Sequence, residues 1–104
     1  MVILSSGNMK LYHEVLVSYD IEDNKNRKKL FEALKDLGLV SIQKSVFWGH
    51  VKVAEEKMLP KLFKRYCSKN DKAFSMRVKF ASVVESKGFG YKKEEFEVDN
   101  HEYI

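Results

Sequence analysis

Twice along this chain the spacing of apolar residues switches from every second position to every third or fourth, and back. A half-buried strand needs the first spacing and an amphipathic helix the second. In 12–20, Val15, Val17 and Tyr19 share one parity, and Glu14, Leu16, Ser18 and Asp20 share the other. Over 24–37, Leu30, Phe31, Leu34 and Leu37 recur at helical spacing, with Asp23 or Asn24 as cap and Gly38 as stop. The run 39–54, LVSIQKSVFWGHVKVA, is too long for one average strand and predicts a hairpin, about 39–44 and 46–53. A second helix is expected over about 55–68, with Met58, Leu59, Leu62, Phe63 and Tyr66 as its apolar stripe. Pro60 suits only a first turn, which allows a later start. A fourth strand is expected over about 74–84, a glycine turn over 86–90, and a short fifth strand over 95–99 carrying Phe96 and Val98.

The order β-α-β-β-α-β plus a terminal strand predicts an α+β chain. Right-handed crossovers put both helices on one sheet face, which is a ferredoxin-like sandwich. The other face is left open. Val15, Val17 and Tyr19 suit the helix side, so Asp20 ends the open side, where Leu16 favours pairing with a second copy of the chain. One domain is expected at 104 residues. It divides into a flexible leader, 1–11, a body, 12–93, and an acidic strand or tail, 94–104.

Charge is distributed unevenly. All 19 Lys and Arg lie in 1–93 with 10 of the 15 acids, so that part carries +9. The tail holds Glu94, Glu95, Glu97, Asp99 and Glu102 and carries −5. So basic a body suits a polyanion partner or, more plainly, a solvated surface. The single Cys67 excludes an internal disulfide and a thiolate zinc cluster, and its apolar surroundings suggest packing. No apolar run approaches membrane-spanning length, and "MVIL" is too short for a signal peptide, so a cytoplasmic chain with no membrane partner is expected.

Two readings of Asp20 stand side by side. A strand-end carboxylate can bind Mg²⁺, which takes oxygen ligands and keeps several waters. Two copies brought together by a dimer would make a better site, and a metal-activated water could then hydrolyse a phosphodiester. From the local pattern alone the plainer reading is favoured: the carboxylate ends the strand by bonding its own backbone. Candidate nucleic-acid contacts are Arg27, Lys28 and Lys29, then Lys61, Lys64 and Arg65 with Lys57, then Arg77 and Lys79 with Lys69 and Lys72. Trp48 suits a core or interface better than a base-stacking role. His13, His50 and His101 lack zinc spacing, and His50 could serve as a general base only if it lies near Asp20.

The stretch 16–51 resembles the CRISPR-associated protein 2 family. The resemblance rests on Tyr19-Asp20-Ile21, the basic helix, Gly38-Leu39, and Ile42-Gln43-Lys44-Ser45-Val46-Phe47-Trp48-Gly49. It implies a ferredoxin-like homodimer whose terminal strand, here with Phe96 and Val98, packs on the partner. It implies a Mg²⁺-dependent endonuclease with Asp20 as catalytic residue and metal ligand, facing its twin, and matches Arg27, Lys29 and Phe47 to family positions. It also implies a CRISPR adaptation subunit that bridges the CRISPR integrase subunit and holds double-stranded DNA, with single-stranded RNA as another substrate. Many members carry a basic residue where this chain has Ser41. A ferredoxin-like small-molecule sensor or protein-interaction module without a nucleic-acid role is the alternative.

Overall fold

β1, Tyr12–Asp20, is the strand from which the rest is built. Its Val15 and Val17 are fully buried and its Tyr19 nearly so, as the parity predicts. In the computed structural model, which describes residues 12–96, α1 follows as Asn24–Asp36, then β2, Val40–Gln43, and β3, Val46–Lys52. α2 is Val53–Tyr66, β4 is Lys72–Arg77, α3 is Phe80–Lys87, and a 3₁₀ turn covers Lys93–Phe96. The leader 1–11 and the residues 97–104 lie outside the described part. The sheet order is β2-β3-β1-β4, with every neighbouring pair antiparallel. Each β-α-β crossover skips one strand, which is the ferredoxin-like topology.

One core lies between the sheet and the helix pair. Val15, Val17, Tyr19, Phe47 and Val51 meet Leu30 and Leu34 of α1 and Leu59 of α2. Each such buried leucine contributes roughly 1.5–3 kcal/mol. α1 is capped by Asp23, whose carboxylate accepts from Asn26 N–H at 2.8 Å. Gly38 ends it at φ +92°, a backbone region open to glycine at little cost. The hairpin turns at Lys44–Ser45, where Ser45 takes a left-handed φ of 65° and its carbonyl accepts from Tyr19 N–H at 3.1 Å. That conformation costs a non-glycine residue about 1–2 kcal/mol.

Three expectations are corrected. α2 starts at Val53, directly after β3, because Glu55 accepts from Lys52 N–H at 2.8 Å and caps it there. Pro60 therefore sits inside the helix rather than in its first turn. The expected fourth strand, 74–84, is instead β4 ending at Arg77 followed by α3. Val78 N–H donates to Glu14 O at 3.0 Å, and at Lys79 the backbone leaves the extended region. The expected fifth strand begins instead as the 3₁₀ turn that holds Glu95 and Phe96; its remainder, with Val98, lies outside the described residues.

The second sheet face is consequently not bare. Trp48, Val84 and Phe96 form a smaller core there with Leu16, Ile42, Phe80 and Tyr91 around it. Four rings pack edge to face or tilted, with Phe96 5.0 Å from Trp48 and 5.2 Å from Phe80. Glu14 ties this layer down: its Oε2 accepts from the Trp48 indole at 2.8 Å and from Ala81 N–H at 3.0 Å. Phe74 and Met76, opposite Ser18 and Leu16, remain about half exposed at 51% and 52%.

Candidate nucleic-acid interface

Asp20 is the last residue of β1 and is exposed. It pairs in register with Lys72 of β4, on the face that also carries Ser18, Phe74 and Met76. The turn beyond it is fastened by Asp71, whose carboxylate accepts from Glu22 N–H at 3.1 Å and from Ser68 N–H at 2.7 Å. Asp71 is thus occupied by backbone donors. Among the described residues no three His, Cys, Asp or Glu side chains converge on a point. Mg²⁺ is commonly held by one or two carboxylates plus substrate phosphates. Among the described residues no such cluster joins Asp20, so the donor set fits Mg²⁺ only with a second copy's carboxylate or a bound phosphate.

The basic residues separate into those already engaged and those left outward. The Arg27 guanidinium donates to Ile21 O at 2.8 Å and to Asn24 Oδ1 and braces the loop after β1 rather than pairing with Asp20. Arg77 makes a two-pronged pair with Glu56, at 2.9 and 3.1 Å, and His13 bonds the same carboxylate at 2.8 Å. The Arg77 hydrogen bond, more than that of His13, holds the Glu56 carboxyl below its usual pKa. Arg77 and Lys79 also stand toward the start of β1, since Arg77 pairs with Val15. Five residues of strand, about 17 Å, separate Val15 from Asp20.

Lys28 and Lys29 of α1 and Arg65 of α2 line a shared groove with Tyr66. Lys25, absent from the expected contacts, joins them there. The signal was present, since Lys25, Lys28 and Lys29 stand at steps of three and four. The groove runs along α1 from Lys25 to Asp36, on the helix side of the sheet, with its cations on α1 toward the helix start. Glu32 and Asp36 line its other end. Lys61 and Lys64 are exposed on α2 but are not part of this groove.

His50 does not meet Asp20. It pairs across the sheet with Glu14, near the far end of β1, beside the Trp48 ring at 5.3 Å. Burial lowers its pKa, and the Glu14 charge partly opposes that. Trp48 is 5% exposed and belongs to the second core. Cys67 is half-buried beside the main core, and burial pushes its thiol pKa up, away from reactivity. Phe96, expected at a dimer contact, is buried within its own chain. No described helix is long and apolar enough to cross a membrane.

Comparison with known proteins bears on the same residues. The family described as CRISPR associated protein Cas2 matches residues 13–85. The CRISPR-associated endoribonuclease Cas2 1 of Francisella tularensis subsp. novicida is 41% identical over 88 residues, 85% of this chain and 91% of that protein. The CRISPR-associated endoribonuclease Cas2 of Korarchaeum cryptofilum is 44% identical over 62 residues, 60% of this chain and 62% of that protein. A solved crystal structure of cas2 superposes with a TM-score of 0.58 at 22% identity, covering 85% of this chain and 86% of that one, a likeness of fold. With its core strands, hairpin and Asp20 all inside the matched span, the chain belongs to the CRISPR-associated Cas2 family.

Proposed function

We propose that this chain is a nucleic-acid-binding subunit of CRISPR adaptation that acts in the cytoplasm as a homodimer. It holds double-stranded DNA, bridges copies of the CRISPR integrase subunit, and has a Mg²⁺-dependent endonuclease capacity. One observation carries the reading: Lys25, Lys28, Lys29 and Arg65 line one groove whose α1 cations sit in the first turns of the helix that follows exposed Asp20. Lys and Arg there neutralise backbone phosphates and set the strand's position without reading its sequence. Relatives named endoribonucleases support RNA as the strand that is cut.

For cleavage, the groove holds and orients the strand while Asp20 and its twin in the second copy present paired carboxylates. Mg²⁺, when bound, supplies Lewis acidity at the scissile phosphate. Holding DNA requires only the cations and survives without Asp20.

The test is fluorescence anisotropy with double-stranded DNA and single-stranded RNA over a salt series, for the parent and for Asp20→Asn. Contacts to six to ten phosphates should weaken binding about 10³–10⁵-fold between about 50 and 200 mM salt. Asp20→Asn should bind as the parent does and lose Mg²⁺-dependent cleavage. No binding at low salt would overturn the reading, and an Asn variant that cuts normally would remove Asp20 from it. Co-purification with the integrase subunit checks the bridging role.

A further inference from the structure

A second, smaller cavity lies between the first turns of α1 and the β2–β3 turn. Its volume is about 260 Å³. That is below the roughly 300–1,000 Å³ of sites for drug-sized ligands. Arg27, Lys28 and Lys44 line it with the hydroxyl-bearing Tyr19, Ser41 and Ser45, and among the described residues no acid does. The α1–α2 groove, by contrast, mixes its cations with Glu32 and Asp36.

Cations and hydroxyls without a carboxylate select an anion rich in acceptor oxygens, and phosphate matches them with charge-assisted hydrogen bonds. Carbonyl oxygens and an amide fix the Arg27 guanidinium in place, and among the described residues no acid pairs with it. The opposite wall is also set in advance. Ser45 is fastened to β1 through its carbonyl, which accepts from the Tyr19 N–H at 3.1 Å. A wall ordered before binding spares the ligand that ordering cost.

The charge distinguishes a strand's end from its middle. A bridging phosphodiester brings one negative charge, whereas a terminal phosphate brings about −1.5 to −2 and three acceptor oxygens. Three cations in a small cavity suit the second. Lys44 stands on the same wall as Ser41, so it supplies a cation beside a position that itself has none. Tyr19 and Asp20 are neighbours on opposite faces of β1, so the cavity and the strand-end carboxylate share one end of the fold.

We infer that this cavity binds the terminal phosphate of a nucleic-acid strand, held by Arg27, Lys28 and Lys44, an inference that rests on the nucleic-acid reading above. The experiment measures anisotropy for one labelled oligonucleotide sequence with a 5′ phosphate, a 3′ phosphate, or hydroxyls at both ends. The parent should prefer one phosphorylated form about tenfold over the hydroxyl form. Either polarity supports the site. Lys44→Ala should shrink that preference and Lys44→Arg keep it, the ratio being insensitive to general loss of affinity. Equal binding of all three forms, or a preference untouched by Lys44→Ala and by Lys28→Ala, overturns the inference and leaves the broader reading standing. A free nucleoside 5′-monophosphate that displaces the phosphorylated strand as effectively as the strand itself overturns the assignment to a strand end. If the parent binds no strand at low salt, the broader reading falls too.

Discussion

A methyl group at position 49 would meet Leu39 Cδ2 at 2.9 Å and Leu39 Cα at 3.3 Å. Gly49 is thus the residue that lets the α1–β2 connection close over β3. The side-chain end can move, but the backbone contact leaves less room. Gly49→Ala should destabilise by about 1–3 kcal/mol through overpacking, read as a lower denaturant midpoint with an unchanged slope. A midpoint equal to the parent's would mean that the connection relaxes freely. Two titrating groups make a separate residue-scale case. His50 is lowered from its ordinary 6.5 and Glu56 from its ordinary 4.5. In both, the unfolded chain takes up a proton before the folded one does. Stability should therefore fall in two stages with acidification: first below 6.5 through His50, then below 4.5 through Glu56. Denaturant midpoints across pH check this, with His50→Gln expected to remove the first stage alone. Of the residues that define the candidate interface, Asp20 was legible because strand parity alone sets its face. The fates of Arg27 and Arg77 were not. A run of basic residues does not reveal that one guanidinium will brace a loop and another will pair with Glu56, forty-three positions from the His13 that shares it.

At the scale of elements, β1, α1 and the hairpin were legible because their signals are local. They have strict alternation, a capped helix with a glycine stop, and a run too long for one strand. The segment beyond β4 misled because its signals are weak. Residues 78–84, VKFASVV, hold three valines that favour extended backbone, and α3 has no side-chain cap to announce it. Its start is fastened at long range by Glu14, sixty-seven residues before Ala81, whose N–H donates to the Glu14 carboxylate. The same Glu14 oxygen accepts from the Trp48 indole, so one carboxylate joins α3 to the sheet. Glu14→Ala would leave both donors without that acceptor, at a cost of about 1–3 kcal/mol each where they stay buried. Glu14→Gln keeps an acceptor oxygen and should cost less. Trp48, the single tryptophan, reports the change directly by fluorescence, and amide exchange at Ala81 should speed in the Ala variant. Unaltered exchange at Ala81 would show that aromatic packing alone docks α3.

For the whole molecule, the expected bare sheet face is narrower than the element order implied. α3 and the 3₁₀ turn cover it around Trp48, while Phe74 and Met76 stay half exposed beside β1. That remaining apolar strip lies on the same face as Asp20. A second copy seated on it would bury both side chains and add a second strand-end carboxylate to that face, which one chain cannot do alone. The tail deserves a cut at the right place. Truncation after residue 93 would remove Phe96, which is 5% exposed and packed on Trp48, and would damage the fold whatever the tail does. Ending the chain at Phe96 removes only 97–104 and tests the tail itself. Two variants then separate the contributions: the chain ended at Phe96, and the double change Phe74→Glu with Met76→Glu. Each should lower the sedimentation mass of dilute protein toward that of one chain while the far-ultraviolet circular dichroism holds. The proposed Mg²⁺-dependent cleavage should be lost together with the proposed dimer, because Asp20 would then stand alone. A single-chain species that still cuts at the parent's rate would show that one carboxylate suffices and that no twin is needed.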